Sequence, residues 1–204
     1  IEVGGETHSL AKRRLHADDW KHQRIDLEAW GGEQVRLTLS SLAGEHNLLD
    51  YVFVANPTVY TPSSRPRRVA LVFIDTLRQD HLGLYGYPRD TSPTIDTWAQ
   101  QAVVFEDARS VSPWTLPSAR SLLSGQPSDR WGAQPSLQQR LAEEGFCTAA
   151  FVANAYLTRH FDMGLDWTRY HYELLRSAED QVELATDFLA QHQDRDVFLL
   201  VQFM

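Results

Sequence analysis

The residue whose type and position most directly suggest chemistry is Thr115, in the segment Ser-Pro-Trp-Thr-Leu-Pro-Ser over residues 112–118. Pro117 suits the first position of a helix, where its missing N–H costs no hydrogen bond. Gly125 is a typical helix end. Thr115 would then lie just before unpaired backbone N–H groups and the positive end of the helix dipole, which together form an anion-binding site. The alternative is that Thr115 is an ordinary N-cap residue.

A carboxylate upstream of this segment is the second candidate. Residues 69–74 are the apolar run Val-Ala-Leu-Val-Phe-Ile, which predicts a strand buried on both faces. The run ends at Asp75. Ligands of open α/β sheets gather at the carboxyl ends of the strands, so Asp75 is where we expect a metal ligand. The alternative is that Asp75 only caps the turn that follows.

The composition restricts the classes of function. The chain has 204 residues, of which 43% are hydrophobic and 23% charged, as in ordinary globular proteins. Its formal net charge of -8 argues against a nucleic-acid partner. A single cysteine, Cys147, excludes an internal disulfide and a cysteine-rich metal site. No apolar stretch approaches the roughly 20 residues of a membrane span.

The pattern of residues predicts two domains joined by a linker. Residues 1–61 contain alternating apolar and polar residues at 22–27 and 35–40 and an apolar run at 51–54. This pattern resembles the C-terminal portion of a jelly-roll-like β-sandwich module. Residues 62–68 are polar and proline-rich, which predicts a linker. Trp20 and Trp30 are either sugar-stacking platforms or core residues.

Residues 69–204 alternate between strand and helix patterns, which predicts an α/β domain with a mostly parallel sheet flanked by helices. Strands are predicted at 69–74, 103–105, 147–152 and 198–204, and helices at 93–102, 117–124, 137–142 and 182–189. The last strand pattern reads as the middle of a buried strand. We therefore expect the chain to be part of a longer protein.

Six ordered motifs carry a family resemblance. They are Val-Phe-Ile-Asp-Thr-Leu-Arg-Gln-Asp-His-Leu-Gly (72–83), Tyr-Gly-Tyr (85–87), Thr-Ser-Pro-Thr-Ile-Asp (91–96), the segment 112–118, Ser-Leu-Leu-Ser-Gly (121–125) and Gly-Phe-Cys-Thr-Ala-Ala-Phe-Val-Ala-Asn (145–154). Together they resemble the N-terminal part of the sulfatase family, within the alkaline phosphatase superfamily. The resemblance implies that residues 69–204 are the N-terminal portion of an alkaline-phosphatase-like catalytic domain.

The resemblance also implies roles for individual residues. Asp75 matches the first metal-binding carboxylate, and Thr115 matches the nucleophile, which is also a metal ligand. A divalent cation would activate the hydroxyl and shield the approaching anion, and the helix N–H groups would stabilise the transition state. The family carries an arginine two places after the proline, where this chain has Ala119. Arg120, one step later, either substitutes as a catalytic residue or is a solvated helix residue.

Two further departures from the family change the expected substrate. Sulfatases oxidise a cysteine or serine at the nucleophile position to formylglycine, and threonine cannot give the same aldehyde. They also commonly have two adjacent carboxylates after the first strand, whereas Thr76 follows Asp75 here. A single aspartate with a threonine nucleophile is similar to the phosphodiesterase and phosphoethanolamine- or phosphoglycerol-transferase branches. We therefore expect a metal-dependent hydrolase or transferase of phosphate esters. The alternatives are a sulfuric ester hydrolase and a non-catalytic binding or scaffold protein with a degenerate site.

The same resemblance sets the expected cofactor and partners. The cofactor would be a divalent metal, zinc or manganese, or calcium if the protein is sulfatase-like. The substrate would be a small-molecule, glycan or lipid ester of phosphate or sulfate, and the compartment would be extracytoplasmic (periplasmic or secreted). The remaining metal ligands, an Asp-His or Asp-Asn pair and later histidines, are expected beyond Met204, so residues 1–204 alone are expected to be inactive. The sequence does not indicate the oligomeric state.

Other polar residues have two possible interpretations each. Asp80 and His81 either brace a loop or take part in catalysis, and Arg78 either forms a salt bridge or contacts substrate. Asn154 follows a predicted strand at its carboxyl end and can line the pocket. The histidines at 160, 171 and 192 lack metal-ligand spacing and are interpreted as structural or exposed.

Overall fold

The computed structural model describes residues 1–14, 21–42 and 52–204. The chain forms two compact units, Ile1–Ala55 and Asn56–Met204. Trp20 and Tyr51, which belong to the sequence predictions above, lie outside the described residues. Among the helices that are described, none has the length and apolar character needed to span a membrane.

The first unit contains a small antiparallel sheet. Strands β1 (Glu2–Val3) and β2 (Glu6–Thr7) pair with each other. A single bridge joins Glu2 to Arg36, and a 3-10 helix covers Glu28–Trp30. Trp30 is partly buried, with its ring centroid 5.9 Å from that of His8.

The longer strands predicted for this unit are not formed in its described part. Residues 22–27 and 52–54 have no strand, and the 35–40 segment contributes only the bridge at Arg36. Leu37 and Leu39 of this segment are 47% and 69% exposed, so the described residues of the unit cover little of their apolar surface. The assignment of this unit to a β-sandwich stays a prediction.

A parallel sheet of four strands, in the order β3–β6–β4–β5, organises the second unit. The strands are β3 (Arg68–Ile74), β4 (Cys147–Val152), β5 (Arg169–Tyr172) and β6 (Val197–Phe203). The helices are α1 (Pro93–Ala99), α2 (Thr115–Ser124), α3 (Leu137–Glu143) and α4 (Ala178–Gln191). The predicted α/β fold, with a parallel sheet flanked by helices, is confirmed.

The two central strands, β4 and β6, form the base of the core. Every residue of β4 is buried, as is nearly all of β6, as expected for parallel strands covered on both faces. One face packs against α2 through Leu116 and Leu123, and the other packs against α4 through Phe188. Burial of each large side chain stabilises the fold by roughly 1.5–3 kcal/mol. The carboxyl ends of these strands are therefore held firmly in place.

Strand β3 is present as predicted, but it is not buried on both faces. Val69 is 44% exposed and Val72 is 57% exposed. Among the described residues, β3 pairs only with β6, so its other edge and part of its apolar surface face outward. The sequence pattern therefore identified the strand but not its position in the sheet.

Three local predictions also differ from the structure. Residues 103–105 form no strand, and Val103 is 82% exposed. Strand β5 was not predicted, because its sequence Arg-Tyr-His-Tyr lacks an apolar pattern. Helix α2 begins at Thr115 rather than at Pro117, because the extended backbone of Trp114 makes it the N-cap residue. Pro117 still costs no hydrogen bond, since it lies in the first turn.

The predicted linker, residues 62–68, is attached to the second unit. The Ser63 N–H donates to the Asp194 carbonyl at 2.7 Å. The Arg68 guanidinium donates to the carbonyls of His192 and Gln193 at 3.0 and 2.8 Å, which satisfies acceptors at the end of α4. This attachment fixes the start of β3 beside the start of β6.

Asp196, just before β6, completes the attachment and leads to a prediction about pH. It accepts hydrogen bonds from the Arg67 backbone N–H and the Arg67 Nε, both at 2.7 Å. These bonds, the backbone one first, hold the pKa of Asp196 below its ordinary value. The stabilisation is therefore complete above the unfolded-state pKa of about 3.9 and is lost as the pH falls below it towards the folded-state pKa.

We predict that the wild-type free energy of unfolding falls more steeply than that of Asp196→Asn between about pH 5 and pH 2, because the variant has no carboxyl group to protonate at this position. Urea unfolding at several pH values measures this difference. Asp187→Asn, on the exposed side of α4, is the matched control and should follow the wild-type curve. Parallel curves for wild type and Asp196→Asn would contradict the prediction.

Candidate active site

Asp75, Thr115 and Asn154 come together at the carboxyl edge of the sheet. Asp75 directly follows β3, and its backbone N–H donates to the Phe203 carbonyl at 2.9 Å, which extends the ladder with β6. Thr115 is the first residue of α2, and Asn154 lies just beyond β4. Three separate elements therefore converge, as expected at the carboxyl ends of parallel strands.

The Thr115 hydroxyl is oriented by the Asp75 carboxylate. Thr115 Oγ1 donates to Asp75 Oδ2 at 3.0 Å and lies 3.3 Å from Oδ1. The first N–H groups of α2 have no intrahelical acceptors, so the hydroxyl lies at a helix terminus with positive character. The arrangement combines an oriented oxygen nucleophile with backbone donors for an anion.

Asn154 contacts both of these residues. Its Nδ2 donates to Asp75 Oδ2 at 2.7 Å and lies 3.5 Å from Thr115 Oγ1. Its Oδ1 accepts the Tyr156 backbone N–H at 2.8 Å, which turns the NH₂ end of the amide towards the carboxylate. The structure therefore brings Asn154, a pocket candidate from the sequence, into direct contact with the carboxylate and the hydroxyl.

The backbone next to Asp75 is strained. Thr76 has φ of 59°, in the left-handed region that a β-branched residue rarely adopts. Such a conformation costs on the order of 1–3 kcal/mol and is found preferentially at functional sites. The sharp turn takes the chain away from the sheet immediately after the carboxylate, which leaves Asp75 at the edge.

Gln202 is a positioning residue that the sequence interpretation missed. It is fully buried in β6, and its Oε1 accepts the Ala153 backbone N–H at 2.8 Å. Gln181, on α4, donates in turn to the Gln202 carbonyl at 3.2 Å. The signal in the sequence was a single amide within the apolar strand Val-Phe-Leu-Leu-Val-Gln-Phe. Its bond holds the chain one residue before Asn154.

The oxygen atoms of Asp75 and Thr115 fit a divalent cation as part of a ligand set. They provide one negative charge and one hydroxyl, the donors that hard and borderline cations accept. Within the described ranges, no cluster of three or more histidine, cysteine, aspartate or glutamate side chains is suited to hold a metal. These two residues alone do not complete a four-ligand site.

Arg120 is not joined to this group by any hydrogen bond in the described part of the chain. Its guanidinium donates to the Phe161 carbonyl at 3.0 Å and lies 6.0 Å from the centroid of the Trp131 ring. The bond to Phe161 connects α2 to the loop that follows Asn154. A catalytic role for Arg120 stays a prediction.

The loop after Asp75 is braced by an ion-pair cluster. Asp80 accepts from Arg78 Nε at 2.9 Å and lies 3.0 Å from His81 Nδ1. The Arg78 and His81 bonds hold the pKa of the Asp80 carboxyl well below its usual range. Arg78 thus forms the salt bridge that was the alternative to substrate contact, and Asp80 and His81 make the loop-bracing contacts that were the alternative to catalysis.

The histidines at 160, 171 and 192 each contact neighbouring protein groups. His192 Nδ1 lies 2.7 Å from the Phe188 carbonyl at the end of α4. Burial, followed by the charges of Arg176 and Arg169, lowers the pKa of His171. The exposed ring of His160 packs edge-on against Phe161.

Comparison with known proteins identifies the family. The sulfatase family model matches residues 67–204, which is more than half of the chain. The chain belongs to the sulfatase family. Human arylsulfatase A is 34% identical over 74 residues, which cover 36% of this chain and 15% of that protein. Phosphoethanolamine transferase EptC of Escherichia coli K12 is 29% identical over 91 residues, which cover 42% of this chain and 16% of EptC.

A solved structure supports the fold of this sulfatase-family chain. The C-terminal periplasmic domain of Escherichia coli EptC, in complex with Zn, aligns with a TM-score of 0.57 and 19% sequence identity. The alignment covers 68% of this chain and 43% of the EptC domain. The chain therefore matches less than half of that domain and about a sixth of the length of the curated relatives.

Gln202 provides a test of how the site is supported. We predict that Gln202→Leu lowers the free energy of unfolding by about 1–3 kcal/mol, because the buried Ala153 N–H loses its acceptor. Chemical denaturation measures the loss. Gln138→Leu is the matched control, since Gln138 is also buried but its side chain makes, among the described residues, one long bond of 3.4 Å to the Leu165 carbonyl. Equal losses in the two variants would contradict a special role for Gln202.

Proposed function

We propose that this chain carries the nucleophile of a metal-dependent enzyme that hydrolyses or transfers phosphate esters, with Thr115 as the attacking residue. The observation that carries the proposal is the Thr115 hydroxyl bound to the Asp75 carboxylate at the first turn of α2. Membership of the sulfatase family supports ester chemistry in general. The similarity to EptC supports the transfer of a phosphate-containing group.

The proposed reaction begins with the bond that forms at Thr115. Its Oγ1 gives up its proton and attacks the phosphorus atom, the bond to the leaving ester oxygen breaks, and the departing alkoxide takes up a proton to leave as the alcohol. The resulting phosphothreonine ester is resolved by water in a hydrolase or by an acceptor alcohol in a transferase. The oriented hydrogen bond to Asp75 limits the positions of Oγ1 and so favours attack from one direction.

The other groups of the site are proposed to stabilise the negative charge on the phosphate oxygens during the reaction. The N–H groups of the first turn of α2 donate to the phosphate oxygens. Asn154 holds the carboxylate through its 2.7 Å bond and directs its NH₂ group towards the nucleophile. Asp75 and Thr115 would hold a divalent cation, which supplies charge neutralisation and lowers the pKa of the threonine hydroxyl. Zinc is the proposed metal, because the EptC domain was solved as a Zn complex.

The proposal extends to the whole protein and its surroundings. The remaining metal ligands would come from outside residues 1–204, so the 204-residue chain alone is proposed to be inactive. The EptC domain is periplasmic, and an extracytoplasmic location is proposed here for the same reason. The substrate is proposed to be a small-molecule, glycan or lipid phosphate ester. Residues 1–61 are proposed as the C-terminal portion of a jelly-roll-like β-sandwich module, residues 62–68 as a linker, and residues 69–204 as the N-terminal portion of the catalytic domain.

The sulfate ester reaction is the second candidate, because human arylsulfatase A is among the relatives. Threonine at the nucleophile position favours phosphate over sulfate, since it cannot give the formylglycine aldehyde that sulfatases form there. Activity on matched phosphate and sulfate esters decides between the two.

We predict that Thr115→Ala lowers turnover of 4-nitrophenyl phosphate esters by about a thousandfold or more in the full-length protein loaded with zinc, because the nucleophile is removed. Thr115→Ser should retain part of the activity, since it keeps a hydroxyl. Steady-state kinetics on the monoester, the bis-ester and 4-nitrophenyl sulfate measure these effects. Mass spectrometry of quenched reactions should find phosphate on the peptide that contains Thr115.

The control is Thr97→Ala, which removes an exposed threonine hydroxyl from α1 and should leave turnover unchanged. Asp75→Asn should reduce the bound zinc measured by elemental analysis, because it removes a negatively charged ligand. Unchanged turnover in Thr115→Ala would eliminate the nucleophile, and a preference for the sulfate ester would overturn the choice of substrate.

A further inference from the structure

A polar cleft lies at the outer edge of the sheet, where β5 is the last strand among the described residues. Its volume is about 420 Å³, which is sufficient for a small organic ligand. Residues 158–160 line one side, and residues 170–172 of β5 line the other. We call it the β5 cleft. Each of its six lining side chains can donate a hydrogen bond, and none is a carboxylate.

The β5 cleft is a positively charged region of a negatively charged chain. The formal net charge of the chain is -8, yet the lining contains Arg159 and two histidines. Burial lowers the pKa of His171, and the charges of Arg176 and Arg169 lower it further. Glu173 acts in the opposite direction, but its carboxylate is paired with Arg176. A cleft with this balance of charge attracts anions.

Arg159 has no anionic partner in the part of the chain that the structure describes. Other arginines of the same unit do pair with carboxylates, and these are Arg67, Arg78, Arg109 and Arg176. The contact found for the Arg159 guanidinium is with the Tyr170 ring, whose centroid lies 5.8 Å from its central carbon. A guanidinium presents five N–H donors in a plane, which suits the oxygens of phosphate and sulfate. These donors are therefore available to a ligand.

The position of Arg159 depends on a glycine. A Cβ atom at Gly164 would lie 2.5 Å from Arg159 Cγ and 3.1 Å from the Tyr170 ring, so the stem of the arginine occupies space that a side chain at Gly164 would fill. Tyr170 is held in turn, because its hydroxyl donates to the Leu157 carbonyl. Arg159 thus has a packed stem and an unpaired charged end. Packing of the stem reduces the entropy that is lost when an anion binds.

We propose that the β5 cleft binds a phosphate or sulfate group, with the Arg159 guanidinium as the principal donor. His160 and His171 add hydrogen bonds from the two sides of the cleft. Asp75 and Thr115 do not line the cleft, so the proposal stands independently of the function proposed above. The bound group belongs either to a free anion or to an organic phosphate, because both present the same oxygens.

The ring resonances of the two histidines test this inference. The zinc-loaded, full-length protein, with ¹³C in its histidine rings, is titrated with sodium phosphate, sodium sulfate and glycerol 1-phosphate at constant ionic strength, with sodium chloride as the reference salt. The resonances are assigned by their absence in His160→Gln and His171→Gln. We expect saturable shifts with the oxyanions and none with chloride. Tighter binding of glycerol 1-phosphate than of inorganic phosphate would identify an organic phosphate as the ligand, and equal binding would identify a free anion.

The variants give the expected magnitudes. Arg159→Gln should weaken phosphate binding at the β5 cleft about tenfold or more, because a charged hydrogen-bond donor is lost. Gly164→Ala should weaken it by a smaller factor while keeping every charge, since the added methyl group displaces the Arg159 stem. Arg130→Gln, the matched control, removes the same charge from an exposed residue outside the cleft and should bind as the wild type does. Urea unfolding verifies that each variant is folded.

Three results would overturn the inference. These are histidine resonances that do not shift with phosphate or sulfate, shifts of equal size with chloride, and equal weakening by Arg159→Gln and Arg130→Gln. Failure of the proposed function has a different signature, because turnover unaffected by Thr115→Ala would leave the oxyanion titration of His160 and His171 unchanged.

Discussion

The hydrogen bond from Thr115 to Asp75 is the contact on which the rest of the site depends. It joins the start of α2 to the end of β3, two elements far apart in the sequence, and it orients the hydroxyl of the first residue of the helix. Asn154 adds a third element by binding the same carboxylate oxygen. A single carboxylate thereby positions the Thr115 hydroxyl and the Asn154 amide at the point where an anion would meet the N–H groups of α2.

The precision of this contact comes from the buried strands below it. β4 and β6 are apolar and inaccessible, so their carboxyl ends cannot shift without opening the core. Gln202 connects this rigid base to the site by binding the backbone just before Asn154. At the end of β3, the left-handed backbone of Thr76 turns the chain away from the sheet and so leaves Asp75 at the sheet edge. The packing of β4 and β6 and the strained turn at Thr76 together fix the positions of Asp75 and Asn154.

The surface around the site is apolar and partly exposed, in contrast to the buried strands β4 and β6. Trp114 precedes Thr115 and Tyr156 lies two residues after Asn154, and both side chains remain about half exposed in a unit that buries other aromatic rings. β3 likewise has an apolar sequence but an open edge within the described residues. The carboxylate of Asp75 and the hydroxyl of Thr115 therefore lie next to a strand whose outer edge is unpaired among the described residues.

The sequence by itself determined the elements and the main candidates. The apolar runs at 69–74, 147–152 and 198–204 predicted buried strands, and the position of Asp75 after the first run predicted its place at the sheet edge. Proline, glycine and leucine spacing located α2, with an error of two residues at its start because the backbone of Trp114, rather than the proline, ends the extended segment. These features are local, so the pattern of neighbouring residues is sufficient to predict them.

Only the tertiary structure decided which residues meet. Sequence patterns contain no information on strand order, and so the exposure of β3 and the existence of the polar strand β5 could not be read from them. The convergence of Asn154 with Asp75 and Thr115, the bond from Gln202, and the separation of Arg120 from that group all depend on contacts between distant segments. In the first unit, alternation at 35–40 predicted a strand that the structure does not form, because alternation favours a strand only when another surface covers its apolar face.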